Sequence, residues 1–214
     1  MKIDKAYDLW SSQYDTNKNK TRDLDKLITQ KILKEIRFSK VLELGCGTGK
    51  NTQWLSLKAD EILAVDFSSE MLQIAKTKIN RENVSFVIAD ITKDWDFISL
   101  KPDLITCNLI LEHIEDLSFI FSSAYSCLKE DGYFFISELH PFKQYKGTKA
   151  RFDTEIGLIE LKAFTHHISE FIHAAKDAGF LLSELNEFFE EDDPEHPPRL
   201  ISFLFQKPKA SDQT

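Results

Sequence analysis

The sequence predicts an α/β fold in which helices cover both faces of a mostly parallel sheet. Short apolar segments alternate with amphipathic helical segments along most of the chain. Polar residues do not interrupt these apolar segments at every second position, so both faces of each strand are expected to be buried. A glycine-rich turn follows the first apolar segment, and such turns mark the ligand-binding edge of many α/β sheets.

The size and charge of the chain narrow the possible classes of function. Its 214 residues suffice for one domain with a complete core. We expect that domain to cover residues 1–208, with a helical cap at 1–37 and a loose tail at 209–214. The formal net charge of −8 repels phosphate backbones, so nucleic acid is an unfavourable partner.

No segment predicts secretion or insertion into a membrane. The N-terminus lacks the apolar core of a secretory signal. The most apolar stretch, 104–111, is too short to span a bilayer and contains Thr106 and Asn108. The three cysteines and six histidines have no spacing typical of a disulfide framework or a metal site. These features favour a cytoplasmic protein without a bound metal.

Hydrophobic periodicity predicts the helices. The first carries Ile3, Tyr7, Trp10 and Tyr14 on one face, and a second runs over 24–36. Later helices are expected after position 68, at 116–128 and at 169–178. Ser68 and Gly179 are residues that typically begin and end helices.

Seven apolar segments are predicted to form strands. They lie at 40–44, 61–65, 84–89, 103–107, 132–137, 180–189 and 200–205. No helix fits between the last two, which an acidic, proline-containing loop connects. We therefore expect the last two strands to pair antiparallel, whereas the earlier ones are joined by helices and should be parallel.

The glycine-rich turn spans positions 43–49 and reads Glu-Leu-Gly-Cys-Gly-Thr-Gly. It holds three of the seven glycines in the chain. Glycine lets the backbone turn sharply and lets a ligand approach the main chain. Asp66 and Asp90 end the second and third strands on the same edge of the sheet. The three features predict a nucleoside site, in which Asp66 binds the ribose and Asp90 faces the adenine.

Two nucleoside cofactors have to be distinguished. The fingerprint for nicotinamide dinucleotides is G-x-G-x-x-G, which requires glycine at position 50, where this chain has Lys50. Glu43, two residues before the first glycine, would repel a pyrophosphate and attract a sulfonium or an ammonium group. The pattern therefore favours a cationic cofactor.

With these motifs the sequence resembles the class I S-adenosylmethionine-dependent methyltransferases of the small-molecule type. The resemblance covers 38–139 well, through the glycine-rich turn, Val65-Asp66-Phe67-Ser68, Ala89-Asp90-Ile91 and the segment 108–113. It implies a Rossmann-like sheet with the strand order 3-2-1-4-5-7-6, in which only the last strand is antiparallel. It also implies S-adenosylmethionine as cofactor and S-adenosylhomocysteine as product.

The resemblance implies a set of cofactor-binding residues. They are Tyr14, Arg22, Glu43, Gly45, Cys46, Gly47, Asp66, Phe67, Met71, Asp90, Ile91 and Asn108. Residues of the glycine-rich turn would line the methionine and the ribose, and Asp66 would bind the ribose. Side chains 67, 71, 90 and 91 would surround the adenine. The main chain at 108 would meet the ammonium group, and side chains 14 and 22 would reach the carboxylate.

For the catalytic residues the sequence leaves alternatives open. His140 ends the fifth strand and is a candidate general base, with a structural role as the alternative. The basic segment 142–152, with Lys143, Lys146, Lys149 and Arg151, is either a solvated loop or a surface that attracts an anionic substrate. The acidic run at 190–195 is interpreted as a solvated loop.

The expected reaction is in-line transfer of a methyl group to an oxygen or nitrogen of a small molecule. An anionic acceptor in a dry pocket would need no strong protein base. The N-terminal helices, with Trp10 and Tyr14, are expected to form a lid. A nicotinamide-dependent oxidoreductase and a non-catalytic cofactor-binding protein remain as alternatives. Enzymes that methylate planar amino groups in DNA typically carry the tetrad Asn/Asp-Pro-Pro-Tyr/Phe. That tetrad is absent here, because Leu109 and Ile110 follow Asn108.

Overall fold

A seven-stranded sheet forms the centre of the molecule. The structure is a computed structural model, which describes residues 3–16, 19–147, 151–154, 157–160, 162–190 and 197–212. The strands are β1 (Lys40–Leu44), β2 (Glu61–Asp66), β3 (Val84–Ile88), β4 (Leu104–Asn108), β5 (Tyr133–Leu139), β6 (Arg151–Thr154), β7 (Gly157–Glu160), β8 (Leu181–Phe188) and β9 (Leu200–Gln206).

The order of the strands in the sheet is β3-β2-β1-β4-β5-β9-β8. The pairs among the first five strands are parallel, and β9 is antiparallel to both β5 and β8. The predicted order and the single antiparallel strand are thereby confirmed. The numbering differs because β6 and β7 form a separate antiparallel hairpin, which the sequence pattern did not indicate.

Seven helices accompany the strands in the part of the chain that the structure describes. They are α1 (Ile3–Tyr14), α2 (Lys20–Leu33), α3 (Thr52–Leu55), α4 (Ser69–Lys78), α5 (Leu117–Cys127), α6 (Pro141–Tyr145) and α7 (Ile168–Ala178). Ser68 caps α4, because its hydroxyl accepts a hydrogen bond from the Met71 N–H. Gly179 ends α7 with a φ of 100°. Both predicted boundary residues are confirmed.

The helix that follows the glycine-rich turn is short. After Leu55 the backbone hydrogen bonds tighten, and the N–H groups of Leu57 and Lys58 bond to carbonyls only three residues earlier. Within the predicted tail, 3₁₀ geometry is found at Ala210–Asp212. None of the helices among the described residues is long and apolar enough to cross a membrane.

Alternating side chains of the central strands belong to two apolar clusters, one on each face of the sheet. Val41 packs on one face with Leu33 and Leu72, from α2 and α4. Leu42 packs on the other face with Phe121 of α5 and Phe171 of α7. The expectation of burial on both faces holds for the central strands. It is wrong for the two edge strands, because no residue of β3 is fully buried and β8 is mostly exposed.

The cluster around Phe121 is expected to dominate stability on its face. Phe121 is fully buried, and its ring centroid lies 5.4 Å from that of Phe134 and 5.5 Å from that of Phe205. Phe121→Ala should lower the free energy of unfolding by about 3–5 kcal/mol, because the cavity cannot collapse between packed rings. Urea unfolding measures this change.

Leu57→Ala is the control for this substitution, since the side chain is 63 % exposed. It should alter the free energy of unfolding by no more than about 0.5 kcal/mol. Equal urea midpoints for the two variants would contradict the assignment of Phe121 to the core.

Candidate functional site

The carboxyl ends of β1, β2 and β4 lie at the same level of the sheet. Leu44 is in register with Val65 on one side and with Cys107 on the other. The alignment continues past the strand end, where the Cys46 N–H donates to the Val65 carbonyl at 2.9 Å. The turns that follow these strands therefore open at one edge, where ligands of parallel α/β sheets bind.

The glycine-rich turn needs glycine for two different reasons. Gly45 has a φ of +64°, and a Cβ there would lie only 2.1 Å from the Ile110 Cδ1 atom. Gly47 has a φ of +52°, and a Cβ there would meet no atom within 4 Å. Gly45 thus lets the turn after β4 approach closely, while Gly47 adjoins open space beside the backbone.

The carboxylate of Asp66 connects the turns after β1 and β2. One oxygen accepts from the Gly47 N–H at 2.8 Å, and the other accepts from the Ser68 N–H at 2.9 Å. The residue is 5 % exposed. Burial raises the pKa of its carboxyl group to about 6, although these hydrogen bonds act in the opposite direction.

Two adjoining cavities open at this edge. The larger encloses about 750 Å³, including open space at its mouth, and the smaller about 460 Å³. Such volumes are in the range of cofactor pockets. Both are lined by Tyr14, Gly45, Gly47 and Asn108. Each of the twelve residues predicted to bind the cofactor lines one cavity or both, so the structure brings the whole set together.

The larger cavity is lined by both apolar and acidic side chains. It contains Asp66, Phe67, Met71, Asp90 and Ile91, the residues expected around the nucleoside. One oxygen of Asp90 accepts from the Thr92 N–H and hydroxyl group, which shapes the turn after β3.

The smaller cavity is surrounded by buried carboxyl groups. Glu43 accepts from the Thr52 hydroxyl at 2.6 Å, and burial raises its pKa to about 8. Asp25 of α2 accepts from the side-chain amides of Asn108 and Asn51, and burial raises its pKa as well. Two carboxyl groups in one dry pocket favour a cationic ligand.

Arg22 and Tyr14 close the smaller cavity on the side of the N-terminal helices. The guanidinium carbon of Arg22 lies 3.9 Å from the centroid of the Tyr14 ring, and Nη1 donates to the Tyr14 main-chain carbonyl. Cys46 lines the same cavity. Burial raises the pKa of its thiol well above the usual value, so the thiol stays protonated and is a poor nucleophile.

Sequence reasoning missed several residues of the site. Tyr7 of α1 and His113, in a 3₁₀ turn after β4, both line the larger cavity, and Asp25 lines the smaller. Leu109, a residue with a φ of +57°, lines both. His113 belongs to the segment that carried the resemblance, but nothing local indicates that Tyr7, 106 positions away, is its partner.

His140 lies outside both cavities and is 2 % exposed. Its Nδ1 accepts from the Phe142 N–H at 3.1 Å and so caps α6. Its Nε2 therefore carries the proton and donates to Glu187 at 2.8 Å. With both ring nitrogens engaged inside the protein, the geometry favours the structural alternative over a general base.

The described part of the basic segment contributes no side chain to either cavity. Lys143 pairs with Glu190 at 3.6 Å, and Lys146 is exposed. Neither side chain lines a cavity. Lys149 and most of the acidic run, 191–195, lie outside the described residues. Among the residues that are described, no group of three or more side chains could hold a metal ion.

Comparison with known proteins agrees with this geometry. A family model described as a methyltransferase domain matches residues 42–136. The structure superimposes with a TM-score of 0.75 and 21 % identity on the DhpI-SAM-HEP complex, covering 94 % of each chain. An uncharacterized methyltransferase of Emericella nidulans is 25 % identical over 219 residues, which cover 85 % of this chain and 76 % of that protein. The chain is a class I S-adenosylmethionine-dependent methyltransferase.

Further relatives of this methyltransferase have names that state a substrate or a biosynthetic pathway. A malonyl-[acyl-carrier protein] O-methyltransferase of Coxiella burnetii is 31 % identical, over 61 % of this chain and 54 % of its own length. A ubiquinone biosynthesis O-methyltransferase of the same organism is 29 % identical, over 71 % of this chain and 64 % of its own length. The methyltransferase described here thus matches less than two thirds of each of these enzymes.

Ionisation of Glu43 should destabilise the ligand-free methyltransferase. Its pKa rises from an ordinary 4.5 to about 8 on folding, so the folded state binds more protons than the unfolded state between these values. The free energy of unfolding should therefore fall as the pH rises through this window. Glu43→Gln cannot ionise and should remove part of the slope, which urea unfolding at closely spaced pH values measures.

The remaining slope should come from the other buried carboxyl groups with raised pKa values, which are Glu138 at about 8, Asp66 at about 6, and Asp25. Glu82→Gln is the matched control, because Glu82 is exposed. A slope that is the same in the Glu43 variant as in the unmodified protein would show that this carboxyl group does not titrate as assigned.

Proposed function

We propose that this methyltransferase moves a methyl group from S-adenosylmethionine to an oxygen or nitrogen atom of a small metabolite. The observation that carries the proposal is the pair of cavities lined by the glycine-rich turn, Asp66 and buried carboxyl groups. The names of two relatives support a small molecule as substrate, since one is a ubiquinone biosynthesis O-methyltransferase and the other a demethylmenaquinone methyltransferase.

The residues present suit the cofactor. Glu43 and Asp25 offer carboxyl groups to its ammonium group in the smaller cavity, and the open space at Gly47 leaves room beside the backbone. Asp66 lines the larger cavity and would accept hydrogen bonds from the ribose hydroxyl groups. Phe67 provides an aromatic face for the adenine. When bound, the cofactor supplies an activated methyl group on a positively charged sulfur.

We assign α1 the role of a lid over the strand ends. Its side chains bond to turns that follow different strands. Asp8 accepts from the Ser68 hydroxyl at 2.7 Å, and Asp15, just after the helix, accepts from the Thr48 hydroxyl at 2.8 Å. Both α1 and α2 belong to the helical cap proposed for residues 1–37. Release of these bonds would open the cleft for exchange, and their formation excludes water from the reacting atoms.

Loss of the Asp66 carboxylate should weaken cofactor binding. Asp66→Ala removes a hydrogen-bond acceptor for the ribose and for the Gly47 N–H. The affinity for S-adenosylmethionine should fall by about 1–3 kcal/mol. Isothermal titration calorimetry measures it. Asp177→Ala on the exposed surface of α7 is the control and should bind the cofactor normally.

The same titration with NAD separates the methyltransferase from the nicotinamide-dependent alternative. Tight binding of NAD and none of S-adenosylmethionine would refute the proposal. Transfer of labelled methyl groups from S-adenosylmethionine into a protein-free metabolite extract then separates an enzyme from a non-catalytic cofactor-binding protein, which would produce no labelled product.

A further inference from the structure

Tyr7 and His113 form a hydrogen-bonded pair on the wall of the larger cavity. The Tyr7 hydroxyl lies 2.9 Å from Nε2 of His113. On the other side of the ring, Nδ1 lies 3.0 Å from the main-chain carbonyl of Lys162. A carbonyl can only accept, so Nδ1 carries the ring proton and Nε2 is the basic nitrogen. The Tyr7 hydroxyl therefore donates to Nε2 and keeps its own lone pairs for another donor.

The surroundings of the pair suit a group that gains a proton during the reaction. The His113 side chain is 7 % exposed, and Oε1 of Glu112 lies 3.8 Å from Nε2. That carboxyl group would stabilise a protonated ring. Burial raises the pKa of Tyr7 well above its usual value, so the hydroxyl remains neutral and can pass a proton without ionising.

The charged groups that act electrostatically on Tyr7 are the carboxyl groups of Glu112, Asp66 and Glu138, whereas Tyr14 is a neutral phenol whose pKa burial raises to about 12. The guanidinium group of Arg22 lies against the Tyr14 ring and lines the smaller cavity. The ammonium group of Lys162 instead lies 4.4 Å from the centroid of the Phe164 ring. Among the described residues that line the larger cavity there is no lysine or arginine. A carboxylate acceptor would find no basic side chain there to pair with.

We propose that Tyr7 and His113 form a proton relay for an uncharged acceptor that bears an O–H or N–H group. This inference rests on the proposed methyl transfer and names its substrate class, which excludes carboxylates. As the acceptor atom bonds to the methyl carbon, the carbon–sulfur bond breaks and its electron pair goes to sulfur. The proton of the acceptor moves to the Tyr7 oxygen, and the Tyr7 proton moves to Nε2 of His113.

The relay conserves charge. Before transfer the positive charge is on sulfur, and afterwards it is on the imidazolium ring of His113, between Glu112 and the Lys162 carbonyl. A carboxylate acceptor has no proton to lose, so its methylation would not require a proton relay. The hydrogen-bonded pair of Tyr7 and His113 therefore favours a hydroxyl or an amine as the methyl acceptor.

The test uses the full chain and S-adenosylmethionine labelled in the methyl group, with a protein-free metabolite extract as the source of acceptors. Three variants are compared with the unmodified enzyme. They are Tyr7→Phe, His113→Gln and the double variant. The phenylalanine keeps the ring contact with Phe67. The glutamine retains an acceptor for the Tyr7 hydroxyl but cannot take a proton. His173→Gln on the exposed face of α7 is the matched control.

The rate of label transfer should fall by about 10²–10⁴-fold in each single variant, because general-base catalysis contributes this much. The double variant should be no slower than the single ones, since the two groups act as one unit. Affinity for S-adenosylmethionine, measured by calorimetry, should be unchanged.

The labelled products should survive treatment with alkali, because methyl ethers and N-methyl amines resist hydrolysis whereas methyl esters release methanol. Alkali-labile label would overturn the proposal, as would full rate in the His113 variant. Loss of cofactor affinity in the Tyr7 and His113 variants would indicate a structural role instead. If the unmodified enzyme transfers no label at all, the proposed function itself fails.

Discussion

The carboxylate of Asp66 holds together the two turns between which the cleft is built. Its oxygens accept from the N–H groups of Gly47 and Ser68, which follow different strands. Because the strands are parallel and in register, one short side chain can reach both turns. The carboxylate thereby joins the two turns at the point where the ribose would be bound, and burial raises its pKa by disfavouring its charge.

Other buried acids extend this arrangement around the cleft. One oxygen of Glu138 accepts from the N–H groups of Ile110 and Leu111 and so fixes the turn after β4. That turn contains Leu109 at a positive φ, a conformation that needs such support. Glu43 lies at the start of the glycine-rich turn, and among the contacts described it bonds only to Thr52. A fold that buries this many carboxyl groups gains from a cationic ligand and loses from an anionic one.

Much of the fold follows from local pattern. Uninterrupted apolar segments around Val41 and Leu63 predict buried strands, and Ser68 and Gly179 predict helix ends, because each depends only on neighbours along the chain. The hairpin of β6 and β7 escaped prediction, since its strands pair only with each other and add nothing to the central sheet. His140 illustrates the limit for sites, because its position at a strand end does not reveal that Phe142 and Glu187 occupy both ring nitrogens.

The amino-acid sequence by itself determined the glycine-rich turn, the acids at the strand ends and the alternation of strands with helices. These features arise from backbone freedom and hydrophobic period, which act over a few residues. Only the tertiary structure decided which side chains meet across the cleft. Tyr7 reaches His113 because α1 folds back over the strand ends, and the Lys162 carbonyl selects the tautomer of the ring. Contacts between residues so far apart along the chain depend on packing, which no local pattern encodes.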